Sequence, residues 1–354
     1  MKPYRTCICR WATLVASTTA AVALLAVPAQ SQRGPGKQPP PAQNLEKQKD
    51  LTKTISSWSV RALVPIGVVE HMAGALEAAP SNGTRILVMG GRSWGAQGPK
   101  TPNTNIYLFN PFSNSWAMMP MKCGLVGYTI AGEMGLDTLL FGANEGMPSM
   151  VYFYNPQSTS LTPKGQLIHT RRWPAVVLKN NNAEFLVIGG RDAQQKTVGQ
   201  IEKFKGGSST LVAGADVNTL PMSGISAALL PSGKVFLVGQ KSPGDNRWTL
   251  FDPNNATAPF TGTQNFPSGS SGGRAQVAFS PLHNKLLVVI DPPSLPGGNI
   301  ECFWVDPVTF AWSPAPVPSN PSRLGAVLVG TKAGFFLSGG AAPGVGTYKL
   351  MEQL

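Results

Sequence analysis

Arginine and tryptophan are the side chains of this sequence best suited to bind a ligand. Arg172 is followed directly by Trp173, and further arginines stand at Arg274 and Arg323. Arginine presents a planar fork that suits carboxylate, sulfate or phosphate groups, and tryptophan offers a face on which a sugar ring can stack. We therefore predict a site for an acidic saccharide or another anion, to which His71 also contributes.

These arginines also have a structural interpretation. They recur at similar places along the chain, as does the position of His71. An arginine that recurs in this way can pair with the backbone or with an acid of a neighbouring element and hold the fold together. The sequence leaves both interpretations open, and they differ in whether removal of the arginines affects binding or stability.

A second candidate surface is the loop 91–104, which contains Arg92 and Trp94 among glycines and prolines. Loops carry binding residues more often than strands do, so these two side chains are candidates for ligand contact. The alternative is that Trp94 packs over the edge of a sheet and contacts no ligand.

The sequence contains no motif of a known catalytic site. It has no G-x-S-x-G, H-E-x-x-H or P-loop segment, and no pair of carboxylates with the spacing expected of a glycosidase. Its three histidines, His71, His169 and His283, are scattered, whereas a site with imidazole ligands gathers several. We therefore expect a binding protein without catalysis, cofactor or metal.

Short apolar strands that end at or near glycine recur along the chain. Six of them lie at 85–91, 138–142, 184–190, 235–239, 286–290 and 334–340. Their last apolar or first glycine positions, 90, 142, 189, 239, 290 and 339, lie 47 to 52 residues apart. Each repeat also contains further short strands, several of which end on Asn-Pro or Asp-Pro. A period of about fifty with about four strands per unit predicts an all-β, six-bladed β-propeller over 55–354.

The two ends of the chain predict how the ring closes. The last repeat stops after TYKLMEQL (347–354) without a strand centred on tryptophan. Near the start, Ser57-Trp58-Ser59-Val60 copies the pattern of Ser115-Trp116-Ala117-Met118 in the first repeat. We therefore expect the N-terminal strand to complete the last blade, because this pairing removes a free sheet edge.

The double-glycine strands, the following Asn/Asp-Pro and the later tryptophan resemble kelch repeats over about 55–354. Two segments, VPIGVVEHMAGAL (64–76) and SAALLPSGKVFLVG (226–239), are similar to the propeller of secreted copper radical oxidases of the galactose oxidase and glyoxal oxidase type. Because kelch propellers include both enzymes and binding proteins, the repeat type alone does not determine function.

The narrower resemblance implies an alternative function. Cys123 stands where those oxidases have a cysteine cross-linked to tyrosine, but Trp173 occupies the place of that tyrosine, and the later Tyr-His pair is missing. The alternative is a copper radical oxidase that oxidises an alcohol or aldehyde and releases peroxide, using Trp173 or Tyr128 beside Cys123. Otherwise Cys123 is a remnant of the cross-link, and we expect Cys123 and Cys302 to be reduced and buried.

The N-terminal region predicts export. The apolar run 11–27 follows three basic residues and precedes small residues, as in a signal peptide covering 1–31, and 32–54 is a Pro-rich, flexible leader. We expect a secreted monomer that leaves the membrane after cleavage, with possible glycosylation at Asn82 and Asn255. The formal net charge of +12 favours an anionic saccharide or an extracellular protein as partner. Without a basic cluster, nucleic acid is not expected.

Overall fold

A computed structural model describes most of residues 57–354. The segments outside the description are 1–56, 66, 68–70, 78–83, 94–100, 126, 133–137, 145–146, 156–157, 159, 181–183, 221, 268–272, 293–297, 343–345 and 348. The predicted signal peptide (1–31), the leader (32–54), Trp94 and the first glycosylation site at Asn82 lie outside the described residues.

The chain folds into six four-stranded antiparallel sheets, or blades, preceded by β1 (Ser59–Val60). Blade 1 contains β2 (Met72–Glu77), β3 (Thr84–Met89), β6 (Asn105–Asn110) and β7 (Ser115–Lys122), with the short pair β4 (Arg92–Ser93) and β5 (Thr101–Pro102) between β3 and β6. Blade 2 contains β8 (Tyr128–Gly132), β9 (Thr138–Gly142), β10 (Met150–Asn155) and β11 (Ser160–Gln166). Blade 3 contains β12 (Ala175–Asn180), β13 (Glu184–Ile188), β14 (Gln200–Lys205) and β15 (Ser208–Asp216).

The second half of the chain repeats this arrangement. Blade 4 contains β16 (Ser223–Leu229), β17 (Val235–Ser242), β18 (Asp245–Phe251) and β19 (Gln264–Asn265). Blade 5 contains β20 (Ala275–Ser280), β21 (Lys285–Ile290), β22 (Glu301–Val305) and β23 (Trp312–Pro314). Blade 6 contains β24 (Val327–Thr331), β25 (Gly334–Ser338), β28 (Met351–Gln353) and β1, with the pair β26 (Ala341–Ala342) and β27 (Gly346–Thr347). The prediction of a six-bladed, all-β propeller is confirmed.

A single turn of 3-10 helix at Val217–Thr219 follows β15. None of the helical residues described by the structure forms a segment long and apolar enough to cross a membrane.

Burial follows the order of the strands within each blade. The second strands are buried on both faces, as in β9, β13 and β25, where every residue is buried. The outermost strands are mostly exposed, as in β7 and β11. A strand buried on both faces reads as a continuous apolar run, which is why the second strands gave the clearest repeat in the sequence. The apolar cores therefore lie between adjacent blades, and the outermost strands meet solvent.

The first and last parts of the described chain meet in blade 6. Ser59 pairs with Gln353 at the outer edge of this sheet. The indole Nε1 of Trp116 in blade 1 donates to the carbonyl oxygen of Ala62, just after β1, at 2.9 Å. The indole of Trp58 donates in the same way to the carbonyl oxygen of Pro316, after blade 5, at 2.8 Å. Tryptophans of outer strands thus bind the segment that leaves the preceding blade.

Side chains also join the innermost strands of neighbouring blades. Thr129 Oγ1 donates to the carbonyl oxygen of Pro174 at 2.6 Å. Gln276 Nε2 donates to the carbonyl oxygen of Ala326 at 2.7 Å, and its Oε1 accepts from the Leu328 amide at 3.1 Å. Because an innermost strand has an unpaired edge, its backbone groups need other partners. These contacts supply some of them and fix the spacing of the blades around the axis.

Candidate functional site

A channel with a volume of about 820 Å³ is lined by the innermost strands of all six blades. Its wall is mainly alanine, valine, glycine and leucine. Because the innermost strands all run in the same direction, the residues just before them share one end of the channel. This end, here called the upper mouth, is lined by the polar or aromatic side chains of His71, Tyr128, Trp173, Arg191 and Arg274. The volume falls in the range of small-molecule sites.

The strand ladders show which positions are equivalent in different blades. In five blades a glycine stands at or near the end of the second strand, and in blade 5 Asp291 takes its place. The residue just before this position pairs with one residue of the innermost strand, which serves as the reference residue of the blade. These reference residues are Met72, Thr129, Ala175, Ser226, Ala275 and Val327. Arg171 and Arg323 lie four positions before their reference residues, whereas Arg274 lies one position before its own. The predicted arginines therefore occupy different positions in the repeat.

Arg323 does not reach the upper mouth. Its side chain is fully buried and forms an ion pair with Glu352 of β28. Glu352 in turn accepts a hydrogen bond from the amide of Ser319 at 2.8 Å. Arg323, which was predicted to contact a ligand, is thus an interior residue. It lies four positions before its reference residue, where the chain still runs between two blades.

Arg171 repeats this arrangement in blade 3. Its Nη2 lies 2.6 Å from Glu202 Oε1, and neither side chain is exposed. Glu202 also accepts the amides of Ile168 at 2.7 Å and His169 at 3.0 Å. Burial by itself raises the pKa of Glu202, but the charge of Arg171 and these hydrogen bonds hold it below its ordinary value. Both buried pairs therefore anchor the segment that enters their blade.

Arg274 has the opposite environment. Its side chain is exposed and lines the channel, and it makes no ion pair with any residue in the described part of the chain. His71 occupies the equivalent position in blade 1 and is buried, with Nε2 at 3.1 Å from Ser338 Oγ. Burial and the charge of Arg274 lower the pKa of His71 to about 3. The upper mouth therefore combines a cation with a neutral imidazole.

Trp173 is held in an unusual backbone conformation. Its φ is +49°, a region that a bulky side chain rarely adopts. The equivalent positions in three other blades are glycines with positive φ: Gly127 at +84°, Gly224 at +60° and Gly325 at +70°. The guanidinium of Arg172 lies over the indole of Trp173, 4.3 Å from the ring centroid. Backbone strain of this kind is concentrated at functional sites, and here it places an aromatic ring at the upper mouth.

The structure separates Arg172 from the channel lining. Its side chain is 8% exposed, and its backbone pairs with that of Arg191. Arg191 follows the double glycine of blade 3, is exposed, and lines the channel. Arg172 thus contacts the ring of a residue at the upper mouth, Trp173, and does not line the channel itself. Arg191 is a channel-lining residue that the sequence analysis did not identify. The signal for Arg191 was its position directly after Gly189-Gly190, where the chain leaves a buried strand.

Arg92 lies in the short strand β4, where it pairs with Pro102, and is partly buried. It is not among the residues that line the channel. Its predicted neighbour Trp94 is outside the described residues, so the loop site proposed from the sequence remains a prediction.

Cys123 and Cys302 are free and buried. Cys123 packs in one apolar cluster with Tyr128 and Tyr154, and burial raises the pKa of its thiol. Burial likewise raises the pKa of Cys302 to about 12. Both side chains are therefore neutral thiols at ordinary pH.

The three histidines lie in separate environments. His71 is at the upper mouth, His169 Nδ1 is 3.4 Å from Glu202 Oε1, and the ring of His283 stacks on Phe335. Among the residues described, no three His, Cys, Asp or Glu side chains are grouped so that they could hold a metal ion. The set therefore does not fit a copper site built from several imidazoles.

Neither the models of known protein families nor the curated proteins contain a match to this chain.

Proposed function

We propose that this chain is a secreted, monomeric, non-catalytic propeller of the kelch type, closed by its N-terminal strand, which binds an anionic ligand at the upper mouth of its channel. The ligand class is an acidic saccharide, or an acidic segment of an extracellular protein. The observation that carries the proposal is the exposed guanidinium of Arg274 on a channel that is also lined by a tryptophan held at positive φ.

The physical argument concerns which arginines have spare binding capacity. The guanidinium groups of Arg171 and Arg323 are buried in ion pairs with glutamates, so a ligand cannot reach them. Arg274 and Arg191 are exposed on the channel and present donors in a fork that matches carboxylate or sulfate. Trp173 adds an apolar ring to the lining of the same channel. An anionic sugar supplies the complementary charge and ring face.

The copper radical oxidase alternative receives less support. The cysteine that the resemblance singles out does pack near Tyr128 and Tyr154. However, His169 and His283 are engaged elsewhere, which leaves His71 as the one histidine that lines the channel. The described residues do not fit the copper site of that family, and no oxidation step is derived from them.

The test is binding of a sulfated galactan tetrasaccharide, measured by calorimetry after a glycan-array screen of the mature protein. We expect Arg274→Gln to weaken binding about tenfold or more, because a charge-assisted hydrogen bond contributes about 1.5–3 kcal/mol. The matched control is Lys205→Gln, which removes an exposed charge at the end of β14. Equal affinity of the wild-type protein and Arg274→Gln would overturn the proposal.

A further inference from the structure

Blade 5 departs from the other blades at the end of its second strand. In blades 1, 2, 3, 4 and 6 the residue after the reference pair is a glycine: Gly90, Gly142, Gly189, Gly239 and Gly339. In blade 5 it is Asp291, whose side chain is 5% exposed. Its Oδ2 accepts from the amide of Gly325 at 3.4 Å, while its Oδ1 has no hydrogen-bond partner among the residues that the structure describes. A buried, incompletely bonded carboxyl is costly, so its presence calls for an explanation.

Asp291 lies opposite Gly273 and Arg274, one step beyond the last pair of β20 and β21, and its carbonyl oxygen accepts from the amide of Gly273 at 2.6 Å. The ladder of β20 and β21 reaches Ala275 and Ile290, and one step further the amide of Asp291 donates to the carbonyl oxygen of Arg274 at 3.0 Å. The buried carboxyl of Asp291 therefore lies next to the strand that carries Arg274, and the charge of Arg274 acts on it.

We propose that Asp291 makes anion binding at the upper mouth depend on proton uptake. When Asp291 is protonated, the charge of Arg274 is available in full to the ligand. When Asp291 is ionised, its negative charge offsets part of that field and repels the anion. The inference rests on the proposed function, since it concerns the same site.

The charges around Asp291 place this change near neutral pH. Burial raises the pKa of Asp291 to about 6, against the opposing effects of Arg274, the Gly325 amide and Arg323. Arg274 approaches from β20, and Arg323 from the segment that leads into β24. These are the charged groups acting on Asp291 among the residues that the structure describes. The neighbouring histidine, His71, has a pKa of about 3 and stays neutral across this range.

The sign follows from linkage. A bound anion adds negative charge near Asp291 and offsets the positive charge of Arg274. Both effects disfavour the ionised carboxylate, so they raise the pKa of Asp291 further. Binding therefore takes up a proton. Affinity is highest below pH 6 and falls as the pH rises through the pKa of the free protein, then levels off above that of the complex. Each unit by which the ligand raises this pKa corresponds to about a tenfold difference between the two limits.

The experiment measures affinity for the sulfated galactan tetrasaccharide at about pH 5 and about pH 7.5, where the sulfate of the probe does not titrate. We expect the mature wild-type protein to bind about tenfold more tightly at the lower pH. Asp291→Asn keeps an oxygen for the Gly325 amide and is expected to bind with the same, tight affinity at both. The matched control is Asp306→Asn, in the exposed turn after β22 of the same blade, which should keep the wild-type dependence.

The outcomes separate the two proposals. If the wild-type protein binds at neither pH, or if Arg274→Gln binds as well as wild type, the proposed function fails. If binding requires Arg274 but is equal at the two pH values, or if Asp291→Asn keeps the pH dependence, the role of Asp291 alone is overturned. Should Asp291→Asn fail to fold, calorimetry of the wild-type protein in buffers of different ionisation enthalpy still decides, because absence of proton uptake near pH 6 contradicts the proposal.

Discussion

Blades 3 and 6 differ from blade 5 in the environment of an arginine near the start of the innermost strand. In blades 3 and 6 the arginine is buried on a glutamate of the third strand. In blade 5 the position equivalent to Glu202 and Glu352 is Cys302, since Val187, Leu337 and Val289 are the matching partners. Without that glutamate an arginine buried there would lack its partner, and the arginine of blade 5 instead lies three positions later, at the channel.

Within this one propeller, blades 3 and 6 share an arrangement that blade 5 lacks. The two buried pairs are the repeated solution, and they stabilise the segments between blades. Blade 5 carries an exposed Arg274, a buried Asp291 and a neutral Cys302 where its counterparts carry a sealed pair and a glycine. The proposed anion site depends on this difference, because Arg274 makes no ion pair with a glutamate among the described residues and Asp291 takes the place of a glycine.

The largest expected effect concerns the sealed blades. Glu352→Leu leaves the charge of Arg323 buried and unpaired, and we expect a loss of about 3–5 kcal/mol in the free energy of unfolding. Urea unfolding followed by tryptophan fluorescence measures it. The double change Arg323→Leu with Glu352→Leu should recover most of this loss, because it removes both charges. If Glu352→Leu were as stable as wild type, the pair of Arg323 and Glu352 would not stabilise the ring, and blade 6 would not differ from blade 5 in this respect.

The next effect concerns the open blade. Arg274→Gln is expected to lower affinity for the sulfated probe about tenfold or more, while it changes the free energy of unfolding by less than about 0.5 kcal/mol, as is usual for an exposed side chain. Arg323→Gln should do the reverse, with a large loss of stability and little change in affinity per folded molecule. If both variants lost stability and kept affinity, Arg274 would be a structural residue like Arg323.

Two buried groups on which the charge of Arg274 acts give the free energy of unfolding pH dependences of opposite sign. The pKa of His71 is lowered to about 3, so below about pH 6.5 the unfolded chain binds more protons at this site and stability falls on acidification. The pKa of Asp291 is raised to about 6, so between about pH 4 and pH 6 the folded chain binds more protons there, and acidification stabilises it. Each contributes up to about 1.4 kcal/mol per pH unit, and the two offset each other.

If either group is removed, the pH dependence of stability that remains should be that of the other group. Relative to wild type, Asp291→Asn is expected to lose stability more steeply as the pH falls from 6 to 4, and His71→Gln less steeply. Thermal unfolding of the three proteins across that interval measures the difference. Parallel curves for all three would show that neither group has the shifted pKa on which the contrast between the blades depends.

The smallest expected effect concerns the backbone conformation of Trp173. Trp173 stands at φ +49°, where the equivalent residues of three blades are glycines. We expect Trp173→Gly to be about 1 kcal/mol more stable than Trp173→Ala, because glycine adopts positive φ without steric cost. Both variants should bind the sulfated probe more weakly than wild type. Equal stability of the two variants would mean that this backbone position stores no strain.

The repeat was predictable because it depends on neighbours in the chain. Strands such as Glu184–Ile188 are buried on both faces, so they appear in the sequence as short apolar runs that end at a turn. The ligand contacts were less predictable. Trp173 and Arg274, which were predicted to contact a ligand, line the channel, whereas Arg323, predicted with them, is buried on Glu352. Asp291 was missed, although its place in the series of glycines was a readable signal.

By itself the sequence determined that this protein is a ring of six similar sheets, because a period of about fifty in buried strands and turns has few other solutions. The tertiary structure alone decided which arginines are exposed. Arg171, Arg323 and Arg274 lie within three positions of one another in the repeat, yet the first two are between blades and the third is on the channel. The facing side of a residue depends on its register in the ladder, and register is set by contacts between strands far apart in the chain.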